Sequence, residues 1–358
     1  MKKTVRSNLI TIGMVVAAYI IVQILIGTGN ISSLMKGLLV PMCIYAILAV
    51  SLNLTVGVLG ELSLGHAGFM CVGAFSSAFF SKCMKMFVPD MPGGIRFLLA
   101  LLIGAALAGL FGLLIGIPVL RLKGDYLAIV TLAFGEIIKN LVNILYLGID
   151  ENGVHFSIKN SLDLNMADSD KIIINGAQGI TGTPNDSNFT IGMILLLITL
   201  LIVLNLIHSR DGRAIMAIRD NTIVAESVGI PVTKYKLMAF SISAALAGVA
   251  GVLYAHNLST LTALPKNFGY NMSIMILVFV VLGGMGNIRG SVIAAIVLTL
   301  LPELLRGVVK DSRMLIYAIV LIVIMLFNWA PKCLEWREKV AAFIKARIGK
   351  ENVSKEVQ

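Results

Sequence analysis

The chain has 358 residues, 58% of them hydrophobic and only 13% charged, with a mean hydropathy of +0.92. That much apolar surface exceeds what a water-soluble fold of this size needs, so the composition excludes the soluble classes and predicts a polytopic membrane protein. The formal charge of +10 comes from basic residues between and beyond the apolar runs, a placement that fits topology signals and anionic lipid rather than nucleic acid.

Lys2, Lys3 and Arg6 precede the first apolar run, as in a signal peptide. The run is long, has no clear small-x-small cleavage site and is followed by more spans, so an uncleaved first span is predicted. A crossing takes about 20 apolar residues. Ten stretches qualify: Leu9–Ile26, Leu38–Leu54, Leu62–Phe80, Phe97–Val119, Tyr126–Tyr146, Phe189–Ile207, Leu237–His256, Asn271–Gly284, Gly290–Leu305 and Met314–Trp329. The third, eighth and ninth are short or interrupted by glycine. The expected fold is therefore an all-α polytopic membrane protein of about ten transmembrane helices, some short or broken. A cytoplasmic N-terminus covers residues 1–8, a transmembrane domain 9–330, and a tail 331–358, with an outside loop at 148–188 and a cytoplasmic loop at 208–236.

Basic residues set the orientation. With the N-terminus in the cytoplasm, the inside segments hold 18 Lys and Arg and the outside segments the other 11, and both termini lie inside. Lys82, Lys85 and Arg96 are the weakest point of that contrast. The outside loop Gly148–Asn188 is acidic, with Asp150, Glu151, Asp163, Asp168, Asp170 and Asp186. It reads either as a surface for an outside partner or as a solvated, weakly ordered loop. The tail from Lys332 alternates charges with Val340, Phe343 and Ile344, the pattern of an amphipathic helix lying on inner-leaflet lipid.

One polar hinge stands between two long apolar runs: Gly212–Ile230, with Arg213, Arg219, Asp220 and Glu226. Asp220, Asn221 and Thr222 offer cap oxygens, Gly229 suits a left-handed stop and Pro231 ends the helix, so a helix of roughly two turns is predicted. Ile223, Val224 and Ser227 then share a face. Pattern alone reads this as a basic loop between spans; a foothold for a soluble partner is the alternative.

Nothing in the chain forms a catalytic constellation. The only Gly-Lys pair, Gly349-Lys350, has no glycine-rich turn after a strand, so the chain has no P-loop with which to hydrolyse ATP by itself. His66, His155, His208 and His256 lack ligand spacing, and Cys43, Cys71, Cys83 and Cys333 form no CxxC, so no metal is predicted. Glycine-rich breaks inside apolar runs are more telling. Asn53–Phe69 reads NLTVGVLGELSLGHAGF and Val281–Gly290 reads VLGGMGNIRG, sharing G-x-x-G-polar-aliphatic. Such breaks can line a translocation path, pack helices closely, or turn the chain at the cytoplasmic face, the reading preferred for Gly57–Gly60 and Gly283–Gly286. His66 reads as a packing residue before a ligand. In RLKGDYLAIVTLAFGEI (Arg121–Ile137), Glu136 lies ten residues into its span, about 15 Å at helical rise. A carboxylate there marks a pathway by default, unless Lys139 on the same face simply neutralises it.

Those two stretches, with AESVGI (Ala225–Ile230) and YKLMAFSISAALAGVAG (Tyr235–Gly251), resemble the LivM-type permeases of branched-chain amino acid ABC importers over nearly all of residues 38–305. The resemblance implies a type II importer-like permease in the bacterial cytoplasmic membrane. Its partners would be a LivH-type permease, two ATPases of LivG/LivF type that use ATP and Mg, and an extracytoplasmic amino-acid-binding protein; the chain itself would bind no cofactor. Ala225, Glu226 and Gly229 match the family's ATPase-coupling loop, though not the general importer consensus of Glu-Ala-Ala and a spaced Gly; Arg219 and Ser227 join them in the expected coupling set. NGAQGITG (Asn175–Gly182) resembles the family's glycine-rich outside segment, with Ala177 where a second Gly is common. It implies a gate or binding-protein-facing role for Gly176, Gly179 and Gly182, alongside a path past Gly65, His66, Gly68 and Glu136. Urea or short amides stay open as solutes, as does a self-sufficient secondary transporter using Glu136.

Overall fold

The computed structural model describes residues 2–29, 32–122, 124–150, 153–160, 164, 172–305, 319 and 322. Two compact units divide the chain, Met1–Thr299 and Leu300–Gln358, and the described part of the second is little more than the end of one helix. The expected tenth span Met314–Trp329, apart from two isolated residues, and the tail from Lys332 lie outside the described residues.

The helices are α1 Lys2–Gly27, α2 Ser33–Asn53 continued by a π-helical turn Leu54–Leu59, α3 His66–Phe87, α4 Gly93–Val119, α5 Asp125–Asn143, α6 Phe189–His208, α7 Arg210–Asp220, α8 Thr222–Ser227, α9 Val232–Ala255, α10 Pro265–Phe268, α11 Tyr270–Gly283 and α12 Ile288–Leu305. Among the described residues, seven helical segments are long and apolar enough to cross a membrane. The expected spans over α5 and α12 are also helical; α5 carries Asp125, Glu136 and Lys139, and α12 has a shorter apolar run, Ile288–Pro302.

The core forms where α3, α4 and α9 cross. In lipid, apolar side chains gain little by leaving one hydrocarbon for another, so helices associate by close packing. A Cβ on Gly73 of α3 would sit 2.4 Å from the carbonyl oxygen of Gly248 on α9, and one on Gly112 of α4 would sit 2.5 Å from Ala244. The glycines of the ALAGVAG run thus bring backbones together. Phe69 and Phe240 meet edge-to-face at 5.5 Å, and Phe268 packs between Phe75 and Tyr254. The second span is buried almost throughout from Leu39 to Leu59 and so is a central one, whereas α1 lies at the edge, touching α6 through Tyr19 and Thr190 at 3.2 Å.

Two expectations need correction. The third span does not begin at Leu62: residues 60–65 are not helical, and α3 starts at His66 and runs on to Phe87. The Leu64 N–H leaves the helical pattern to donate to the Thr131 hydroxyl at 3.0 Å. The segment Gly148–Asn188 is not plain loop. β1 Tyr146–Asp150, β2 Gly153–Ser157 and β3 Ile172–Asn175 form an antiparallel sheet in the order β2-β1-β3, and β4 Ile180–Thr181 pairs with β5 Thr260–Leu261. Pairing each of its strands within the sheet is how a polar segment next to a membrane satisfies its backbone. Glu151, Asp163, Asp168 and Asp170 lie outside the described residues. α6 follows this sheet and leads to α7, about 30 Å away at helical rise.

Candidate functional site

At the far end of α6 the polar hinge folds as two helices rather than one. Ser209 caps α7 by accepting the Gly212 N–H at 3.0 Å. Asn221 ends α7 and starts α8, its Oδ1 accepting the N–H groups of Ile223 and Val224 at 3.0 and 3.1 Å. Gly229 adopts φ +83°, the left-handed stop, and Pro231 precedes α9. Of the three cap candidates it is Asn221 that is used: the Thr222 hydroxyl donates to the Ile218 carbonyl, and Asp220 accepts from Arg219.

α8 turns its apolar side outward. Ile223 is 79% exposed, Val224 56% and Val228 69%, with Glu226, Ser227 and Gly229 also exposed. Ala225, in contrast, is only 2% exposed and faces the chain itself. α7 seats on the spans through Ile215, which is fully buried in a cluster with Leu54, Val58, Leu59 and Ala239. Arg219, though its side chain stays 40% exposed, reaches back to the spans: its Nη1 donates to the Gly57 carbonyl at 2.9 Å. α8 is thus a short, capped helix with an exposed aliphatic face.

The two G-x-x-G stretches behave alike and meet. Gly60 and Gly286 both take left-handed φ, +81° and +82°, and end a helix or begin a turn. Gly57 and Gly283 lie instead within helices, so the turn expected over each whole stretch starts late.

Deeper in the bundle, Gly65 and Gly68 bear on one face of α5. Added Cβ atoms would lie 2.4 Å from the Thr131 carbonyl oxygen and 2.7 Å from the Gly135 Cα. His66, 2% exposed, has its Nε2 2.7 Å from the Ser51 hydroxyl, and the Ala67 N–H donates to Ser273 at 3.1 Å. Glu136 adjoins this crossing with both carboxylate oxygens engaged: Oε1 accepts the Tyr270 N–H at 2.7 Å, at the first turn of α11, and Oε2 pairs with Lys139. The fold therefore brings Gly65, His66, Gly68 and Glu136 to neighbouring positions around α5.

Gly176, Gly179 and Gly182 lie apart from these, at the sheet. All three take left-handed φ, and Gly176 packs on the ring of Tyr146 while Gly179 lies against the Leu261 carbonyl. Here too sit the basic residues that weaken the charge contrast. Arg96 grips Asp186 with bonds of 2.7–3.2 Å, and Lys82 donates to the Ile172 carbonyl at 3.2 Å. Among the described residues no three His, Cys, Asp or Glu gather as metal ligands.

Residues 34–326 match the family described as "Branched-chain amino acid transport system / permease component". The chain belongs to that family. It is 33% identical over 298 residues to the high-affinity branched-chain amino acid transport system permease protein LivM of Salmonella typhimurium, covering 81% of this permease and 67% of the relative. It is 25% identical over 298 residues to a probable branched-chain amino acid transport permease protein LivM of Methanocaldococcus jannaschii, covering 73% and 78%. A shorter likeness, 31% over 128 residues, joins it to the ribose import permease protein RbsC of Escherichia coli, covering 34% and 39%. No solved structure matches. Sequence reasoning missed Asn53, Ser291 and the Lys236–Glu61 ion pair. The only signal for Asn53 was an amide inside an apolar run just before G-x-x-G.

Proposed function

We propose that this permease is a pore-forming subunit of an ATP-driven importer for branched-chain amino acids, working with a second permease, two cytoplasmic ATPases and an outside binding protein. The observation that carries this is α8: a capped helix in a polar hinge, with Ile223, Val224 and Val228 outward and Ala225 inward. A soluble partner that covers those aliphatic groups gains about 25 cal/mol per Å² of apolar surface removed from water. The chain's lack of a P-loop assigns ATP hydrolysis to such a partner. The α7–α8 end lies in the cytoplasm on the distribution of basic residues, which puts the sheet and the acidic segment outside, toward the binding protein.

Partner closure on ATP would move α7 and α8 as one lever and shift the balance between outward- and inward-open packings, to the extent that ATP favours one of them. The transported zwitterion has an apolar side chain, so a path with few charges suits it. A secondary transporter using Glu136 fits less well, because both oxygens of that carboxylate are already engaged.

The test is reconstitution of the whole complex in liposomes, measuring solute-stimulated ATP hydrolysis and uptake with leucine, isoleucine, valine, alanine and urea. Uptake that needs ATP and all partners, strongest for leucine, isoleucine and valine, is the expected result. Ile223→Asp should release the ATPases from the complex. Uptake by the lone chain down an ion gradient would refute the reading, and a response to urea alone would replace the substrate.

A further inference from the structure

We propose that Arg219 is the internal link through which movement of α8 reaches the break between α2 and α3. The proposal rests on reading α8 as the ATPase foothold, and places Arg219 behind that foothold rather than in it.

α2 does not stop cleanly at its end. It passes into the π-helical turn Leu54–Leu59, then breaks at Gly60, and the chain continues non-helically to Gly65. π-helical turns of this kind recur at functional positions. The last carbonyls of any helix lack intrahelical donors. Here the Thr55 oxygen takes the N–H groups of Gly60 and Glu61, and the Gly57 oxygen takes Nη1 of Arg219 at 2.9 Å. A cation at this end also suits the helix dipole.

Two further approaches make the same side chain a joint. Its methylenes lie on Gly60, where an added Cβ would come 2.5 Å from Cγ. Its Nη1 reaches the second glycine turn, lying 3.9 Å from where a Cβ on Gly286 would stand. The Gly286 N–H is itself held by Asn53 Oδ1 at 2.8 Å, and Asn53 Nδ2 donates to Ser291 at 2.7 Å. Arg219 therefore bonds to the first glycine stretch and lies beside the second where the two meet.

The guanidinium is paired on its exposed side as well. Nε and Nη2 donate to Asp220 at 3.2 and 3.0 Å, and Asp220 directly precedes Asn221, the N-cap of α8. Rotation of α8 about its cap thus displaces the guanidinium, and with it the Gly57 carbonyl. Ile215, buried one turn earlier on α7 among Leu54, Val58 and Leu59, makes α7 and the π-helical turn move together. Beyond Gly60 the chain leads through Gly65 to His66 and Gly68, where α3 bears on α5. The Lys236–Glu61 ion pair ties the start of α9 to the same segment.

The experiment uses the complete reconstituted complex and compares wild type with Arg219→Ala, Arg219→Lys and Gly60→Ala. Solute imported per ATP hydrolysed is measured, together with the change in amide hydrogen exchange across residues 54–62 when ATP is added. Arg219→Ala should still co-purify with the ATPases, yet import about five- to tenfold less solute per ATP, the low end of a typical coupling between sites. Its exchange response to ATP should vanish across 54–62 and persist in α8. Arg219→Lys, which keeps a cationic donor on the side chain, should recover at least half the ratio. Gly60→Ala, whose Cβ would come 2.5 Å from the Arg219 Cγ at a left-handed position that also strains the turn, should lower the ratio at least as far as Arg219→Ala. Either variant keeping the wild-type ratio and exchange response overturns the proposal, as does loss of the ATPases from the Arg219→Ala complex. A wild-type complex that imports nothing overturns the importer reading and this proposal with it, whereas a coupled Arg219→Ala in a working complex overturns this proposal alone.

Discussion

Replacing Glu136 by Gln separates a carboxylate that builds the bundle from one that carries protons. Glutamine keeps an oxygen for the Tyr270 N–H at the start of α11 but loses the charge that faces Lys139. The Lys139 side chain is only 7% exposed, against 24% for Glu136, so the single substitution leaves a nearly enclosed ammonium without its counter-ion. Breaking a buried pair from one side costs about 3–5 kcal/mol. Because Glu136 is partly open, the low end, about 3 kcal/mol, applies. Lys139→Met should cost a similar amount, and the double change Glu136→Gln with Lys139→Met should cost little, since a pair removed whole leaves no charge stranded. The assay is thermal unfolding of the four proteins in lipid nanodiscs, with uptake measured beside it in the reconstituted complex. Both singles should unfold several degrees lower, and the double should recover stability and uptake together. A double variant that is as stable as wild type yet imports nothing would refute the structural assignment and return Glu136 to the transport path.

Asn221→Ala removes both bonds that start α8, at a cost of about 1 kcal/mol, so amide exchange at Ile223 and Val224 should quicken roughly fivefold; unchanged exchange would mean that the cap does not hold this helix. Arg96→Gln and Asp186→Asn should each lower the unfolding temperature by several degrees, because the two side chains are 10% and 18% exposed. Their combination should be no worse than either alone, and full additivity would show that the pair is not one unit.

Much of this permease was legible in its residues. The apolar runs found their helices because a chain in hydrocarbon must satisfy its backbone within each segment, and a run of about 20 apolar residues leaves little other choice. The hinge was legible for a local reason too: Asn221, Gly229 and Pro231 act through backbone geometry within a few residues of themselves. The third span was misplaced by four residues at its start because hydropathy does not register a donor such as the Leu64 N–H pairing with Thr131, 67 positions away. The segment Gly148–Asn188 was left open because short strands of mixed polarity give weak periodicity, and they form only when β1 finds β2 and β3.

Composition and local spacing alone determined the membrane class, the course of most helices, the capped hinge and the family likeness, since each follows from contacts a few residues long. Tertiary structure alone decided where those features point. It turned Ala225 inward and Ile223 outward, gave both oxygens of Glu136 a partner, and brought Arg219 across 162 positions to the Gly57 carbonyl. The reason is physical: which groups meet depends on how helices cross, and crossings are set by small residues such as Gly73 and Gly248 fitting against one another, a match that neither residue reveals by itself.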